Sequence, residues 1–88
     1  MHYLFCKNKV EDYTKWRRGF DADAEAQRES GLHLLHVLRD TDDPNTVIML
    51  FRADDLSTAR AFTEAPSANE SAENSGVVGV PEVRFLSD

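Results

Sequence analysis

The stretch LHLLHVLRDTDDPNTVIMLFRADD at residues 32–55 decides the architecture of this chain. Two runs rich in Leu, Val, Ile and Phe flank a polar turn centred on Asp43-Pro44-Asn45. Branched and aromatic side chains fit a pleated, half-buried surface, so both runs read as strands, residues 32–40 and 47–53. Pro44 suits position i+1 of a type I turn and Asp43 suits position i. A turn this short between adjacent strands predicts an antiparallel hairpin. Asp54 and Asp55 follow at once, where a carboxylate can cap a helix.

Residues 2–8, HYLFCKN, read as a first strand ending in polar residues. Asp12 is a predicted N-cap. Tyr13, Trp16, Phe20, Ala24 and Gln27 recur at helical spacing, with Lys15, Arg18, Asp21, Glu25 and Glu29 mostly off that stripe. The pattern predicts one amphipathic helix of about five turns, stopped at Ser30-Gly31. Beyond the hairpin, Leu56, Ala59 and Phe62 mark a second helix. Ala65-Pro66 interrupts it, and Pro66, tolerated in a first turn, opens a short third helix running to residue 74. Gly76 and Gly79 are predicted to bracket a loop. Residues 81–86, PEVRFL, form the last strand with Pro81 at its start. The order β-α-β-β-α-β predicts an α+β, ferredoxin-like fold: one four-stranded antiparallel sheet with its helices on one face.

The 88 residues predict a single domain, 1–88. A chain of this size buries only ~60–65% of its unfolded surface, so burial against a second copy would help it. Ten basic against sixteen acidic residues give a net charge of −6. That argues against nucleic acid and against an anionic membrane surface as partners. No apolar run approaches the ~20 residues of a membrane span. No signal peptide is visible, and the single cysteine excludes an intrachain disulfide, which together predict a reducing cytoplasm. Cys6, in an apolar strand, reads as a small core residue.

Strand alternation sorts the hairpin into two faces. Leu34, His36 and Leu38 are predicted to point one way, and His33, Leu35, Val37 and Arg39 the other. Neither face is polar. A sheet face left bare by the helices then predicts a partner, most simply a homodimer.

The motifs Val10-Glu11-Asp12-Tyr13 with Trp16 and Phe20, Gly31, VLRDTDDPNTVIMLF at 37–51, Asp54-Asp55-Leu56 with Ala59, Ala61 and Phe62, and GVVGVP at 76–81 carry a resemblance. Together they resemble the dimeric α/β-barrel superfamily, and within it the small antibiotic-biosynthesis-monooxygenase-like proteins. The resemblance implies a homodimer whose two sheets pack face to face as a dimeric α/β barrel. It also implies a pocket between sheet and helices in each protomer. Members include cofactor-free oxygenases of aromatic polyketides, haem-degrading enzymes, isomerases and proteins of no known activity, so the fold alone does not choose a reaction.

The candidate residues follow. His33 and His36, three apart on a strand, are predicted on opposite faces and so cannot share a metal ion. No metal site is expected. His36, between Leu34 and Leu38, is the candidate proton carrier and ligand contact, against the plainer reading of a half-buried, hydrogen-bonded histidine. Trp16 and Phe20 are candidate walls for a flat apolar or aromatic ligand, against the plainer reading of core packing. Tyr13 and Arg39 are candidates to steady a developing oxyanion, though Arg39 equally suits a solvated ion pair. Asp42 and Asp43 read as turn residues.

A haem-degrading relative would need an asparagine on the first strand, a pocket tryptophan and an iron-ligating histidine on the later helices. Asn8 and Trp16 are present in kind, but residues 55–75 contain no histidine. No cofactor is expected. The leading expectation is a homodimeric domain that binds a small apolar or aromatic molecule. The alternatives are a cofactor-free oxygenase or isomerase using the same pocket, and a pure dimerisation module.

Overall fold

A computed structural model describes residues 1–88, the side chain of residue 69 excepted. The chain runs β1 (His2–Val10), α1 (Tyr13–Ala22), α2 (Ala24–Glu29), β2 (Leu32–Arg39), β3 (Thr46–Ala53), α3 (Leu56–Glu64), α4 (Pro66–Asn74) and β4 (Val77–Ser87). The four strands form one antiparallel sheet in the order β2-β3-β1-β4.

The hairpin forms for the reason its sequence suggests. The Thr46 N–H donates to Asp43 O at 2.9 Å, closing the turn around Pro44 and Asn45. The Asp43 carboxylate also accepts from the Asn45 N–H at 3.2 Å and the Thr46 hydroxyl at 2.9 Å. Asp12 caps α1 through the Thr14 N–H at 3.0 Å. Of the two acidic residues after β3, Asp55 is the cap, accepting from the Thr58 N–H at 3.1 Å and the Thr58 hydroxyl at 2.6 Å.

Strand β3 alternates along its whole length. Val47, Met49, Phe51 and Ala53 are buried against the helices, and the residues between them face the other way. Leu4, Val10, Trp16, Leu32 and Ala59 complete the core. Opposed residues of an antiparallel pair share a face, so the ladder partners of β3 assign every neighbouring side chain.

Three departures from the sequence reading matter. The predicted single helix breaks at Asp23, whose φ of −89° and ψ of 1° end α1. Its carboxylate does not cap α2. It accepts instead from the Ser71 hydroxyl of α4, so a tertiary contact displaces a local one.

The second departure is in β2. Leu34 opposes Phe51, but His36 opposes Leu50, leaving Leu35 as an extra residue. This β-bulge reverses the alternation. Leu34, Val37 and Arg39 lie on the helix side, opposite Phe51, Met49 and Val47. His33, His36 and Leu38 lie together on the open side, opposite Arg52, Leu50 and Ile48. The predicted separation of the two histidines is therefore wrong.

The third departure is in β4, which begins at Val77, so the loop predicted at 76–79 is mostly strand. Lys7 opposes Glu82 and Lys9 opposes Val78, so Gly79-Val80-Pro81 bulges opposite Asn8 alone. Gly79 takes φ +73°, a conformation open to glycine at little cost. Pro81 sits within the strand, where β4 is the sheet edge and no further ladder needs its N–H.

The helices cover one face only. Across the other run Tyr3, Phe5, Leu38, Ile48, Leu50 and Leu86, with Leu38 53% and Leu86 45% exposed. No helix is long and apolar enough to cross a membrane.

Candidate functional site

Between the helix side of the sheet and the four helices lies a cavity of ≈ 310 Å³. That reaches the lower end of the range for small-molecule sites, ~300–1,000 Å³. The inward positions of β1 supply Leu4, Cys6 and Asn8 to its floor, and β3 supplies Met49 and Phe51. Trp16 and Phe20 form one wall, their rings stacked at 4.9 Å and 23°. Phe20 in turn lies 6.1 Å from the Phe51 ring. Small residues of α4, Ala68, Ser71 and Ala72, form the roof. Pro81 and Val83 on the edge strand are the exposed part of the lining, so the mouth lies there. A second cleft of ≈ 330 Å³ at the free β2 edge shares Phe20, Gln27 and Leu32 with it.

The polar atoms are few. Asn8 Oδ1 is buried and has no hydrogen-bond partner among the described residues. A buried acceptor left unpaired costs about 1–3 kcal/mol, so it calls for an explanation. Its position supplies one: Asn8 faces inward in register with Val47 while β4 bulges away beside it. Asp23 lines the cavity from the helix side, its carboxylate held by the Ser71 hydroxyl. Gln27 and Ser75, both buried, add polar groups on that side. Burial pushes the Cys6 thiol up to about 12, which keeps it protonated and poorly nucleophilic near neutrality.

Of the residues predicted from sequence, Trp16 and Phe20 line this cavity. His36, Tyr13 and Arg39 do not. His36 is exposed on the opposite face of the sheet, because the bulge at Leu35 turns it there. Arg39 is on the helix side but at the hairpin end. Its guanidinium lies 4.0 Å from the Tyr13 ring centroid, and its Nε–H donates to Pro44 O at 2.8 Å. The pair fastens α1 to the hairpin. The structure thus keeps the three proposed catalytic side chains out of the cavity lining, although the Tyr13 ring centroid lies 5.8 Å from that of Trp16.

His33 is engaged elsewhere, with Nε2 2.8 Å from Asp54 Oδ2. Asp54 also meets Arg52 at 3.7 Å. Among the described residues, no three His, Cys, Asp or Glu side chains converge as a metal site.

Sequence reading passed over Asn8 as part of this cavity, and Asp23 altogether. A signal for Asn8 existed. Positions 4, 6, 8 and 10 of β1 read Leu, Cys, Asn, Val, so one polar residue interrupts an inward apolar row.

No protein-family model and no curated protein matches the sequence. Solved structures do match the fold. A candidate antibiotic biosynthesis monooxygenase from Bordetella bronchiseptica is similar at TM-score 0.79 and 11% identity, with 99% of this chain and 95% of that one covered. One from Caulobacter crescentus gives TM-score 0.74 and 11% identity over 97% and 86%. One from Deinococcus radiodurans gives TM-score 0.71 and 15% identity over 100% and 92%. The chain has the same ferredoxin-like α+β fold as these solved structures.

Proposed function

We propose that this protein is a homodimeric binding domain that holds one small apolar or aromatic molecule per protomer between sheet and helices. The observation that carries the reading is the ≈ 310 Å³ cavity walled by the stacked Trp16 and Phe20 rings. The space opens to solvent beside Pro81 and Val83, so a small molecule can enter it without unfolding the core. The half-buried Phe20 ring offers a flat ligand its stacking area, and Trp16, already buried, backs that ring. A second copy of the chain is the proposed cover for the open sheet face, whose Phe5, Leu38, Ile48 and Leu50 no helix shields.

The enzymatic alternative is the weaker reading. Its proton carrier was His36, which lies across the sheet from the cavity, and the thiol that does reach the cavity stays protonated. The test uses the neutral, polarity-sensitive dye prodan. Saturable blue-shifted emission at one dye per protomer is expected, and Ala72→Phe, which fills the roof, abolishes it. Equal binding by both proteins, or none by the wild type, refutes the cavity reading. Light scattering decides the dimer separately: a mass near 9.9 kDa at micromolar concentration contradicts it.

A further inference from the structure

We propose that Asn8 and Asp23 select the ligand of this cavity: it must carry a hydroxyl or N–H donor, and it must not be an anion. The inference rests on the cavity reading above and adds the chemistry of the ligand's polar group. The lining contains no Lys, Arg or His side chain among the described residues. Its one carboxylate is Asp23, on the helix side near the break between α1 and α2.

A carboxylate or phosphate entering would lose its hydration with no cation to receive it, beside a charge of its own sign. Burying an unpaired charge is among the most costly steps available to a site. A donor meets the reverse situation. Asn8 Oδ1 is already dehydrated and unpartnered, so once the Asn8 amide turns toward the cavity, a hydroxyl or N–H meeting it gains a bond without new desolvation of the protein. Asp23 offers a second acceptor oxygen, since the Ser71 hydroxyl engages only Oδ2.

The bulge Gly79-Val80-Pro81 is the structural means. It removes the β4 residue that would otherwise stand beside Asn8, and it places Pro81 in the cavity wall.

The experiment is displacement of prodan at pH 7 by three compounds of one ring system: 1-naphthol, 1-methoxynaphthalene and 1-naphthoate. The wild type should bind 1-naphthol about three- to tenfold more tightly than 1-methoxynaphthalene, the ratio expected for one buried hydrogen bond. It should bind 1-naphthoate at least about tenfold more weakly than 1-methoxynaphthalene. Asn8→Leu should bring the naphthol preference below about twofold while 1-methoxynaphthalene still binds. Asp23→Asn should narrow the penalty on 1-naphthoate.

Equal affinity of the wild type for all three compounds overturns the selectivity and leaves the cavity reading standing. A naphthol preference that survives Asn8→Leu overturns the role of Asn8. Failure of prodan itself to bind overturns both readings. The wild-type series needs no variant, so a misfolded variant does not remove the test.

Discussion

Gly19 lies where α1 meets the end of α4, and replacing it with alanine probes the roof of the cavity directly. A Cβ at position 19 would overlap Ser75 Oγ and stand 3.0 Å from Ser75 Cβ. Rotating the hydroxyl relieves the first contact but not the second. The substitution in isolation should help the helix, since alanine is about 0.8–1.0 kcal/mol better than glycine there. Overpacking a close contact costs about 1–3 kcal/mol, so the net effect of Gly19→Ala is a destabilisation of roughly 0–2 kcal/mol. Ser75→Gly removes both offending atoms and leaves only the Cα, at 3.7 Å. In that background Gly19→Ala should change sign and stabilise by up to about 1 kcal/mol. The coupling energy of the cycle is then about 1–3 kcal/mol. Urea unfolding followed by Trp16 fluorescence measures all four proteins, since Trp16 is the only tryptophan. Additivity within about 0.5 kcal/mol would refute the seating of α4 against α1.

Trp16→Ala should cost about 3–5 kcal/mol, read from urea unfolding followed by far-ultraviolet circular dichroism, because the ring is 2% exposed. With its thiol near 12, Cys6 should be ionised in roughly one molecule in 10⁴ at pH 8, so its labelling by an aromatic disulfide should be very slow until urea is added. The Thr58 hydroxyl, then the Thr58 N–H, holds the Asp55 carboxyl below its ordinary 3.8. A lowered carboxyl stabilises fully above its unfolded value and loses that contribution as pH falls through the folded one. Urea midpoints should therefore fall below pH 3.8, and Asp55→Asn should flatten that fall. Leu50→Lys, on the open sheet face, should halve the mass seen by light scattering while the far-ultraviolet circular dichroism stays unchanged.

Much of this fold is legible in the sequence because its signals are local and repeated. The stripe Tyr13, Trp16 and Phe20 and the alternation of β3 each recur several times, so one odd residue does not hide them. Turn and cap chemistry is equally plain, since Asp12, Asp43 and Asp55 bond to atoms within three residues. The bulges are not legible in the same way. One extra residue at Leu35 leaves the composition of β2 unchanged, yet it moves His36 to the other face and with it the proposed catalytic group. Gly79 and Pro81 within a strand-like run did mark the second bulge, but they equally suit a loop. The bond from the Ser71 hydroxyl to Asp23 spans 48 residues, and no local pattern reports it. The two rings that line the cavity were thus legible, while of its polar groups Asn8 left one signal, the break in an apolar row, and Asp23 left none.

The central claim is that the helix-side cavity, and not the histidine-bearing sheet face, receives the ligand. Nuclear magnetic resonance with 1-naphthol tests it in one titration. The single indole Nε1–H resonance, from Trp16, should shift saturably, together with the Asn8 side-chain amide, while the His36 ring protons stay in place. Movement of the His36 resonances with Trp16 and Asn8 unmoved would contradict the account.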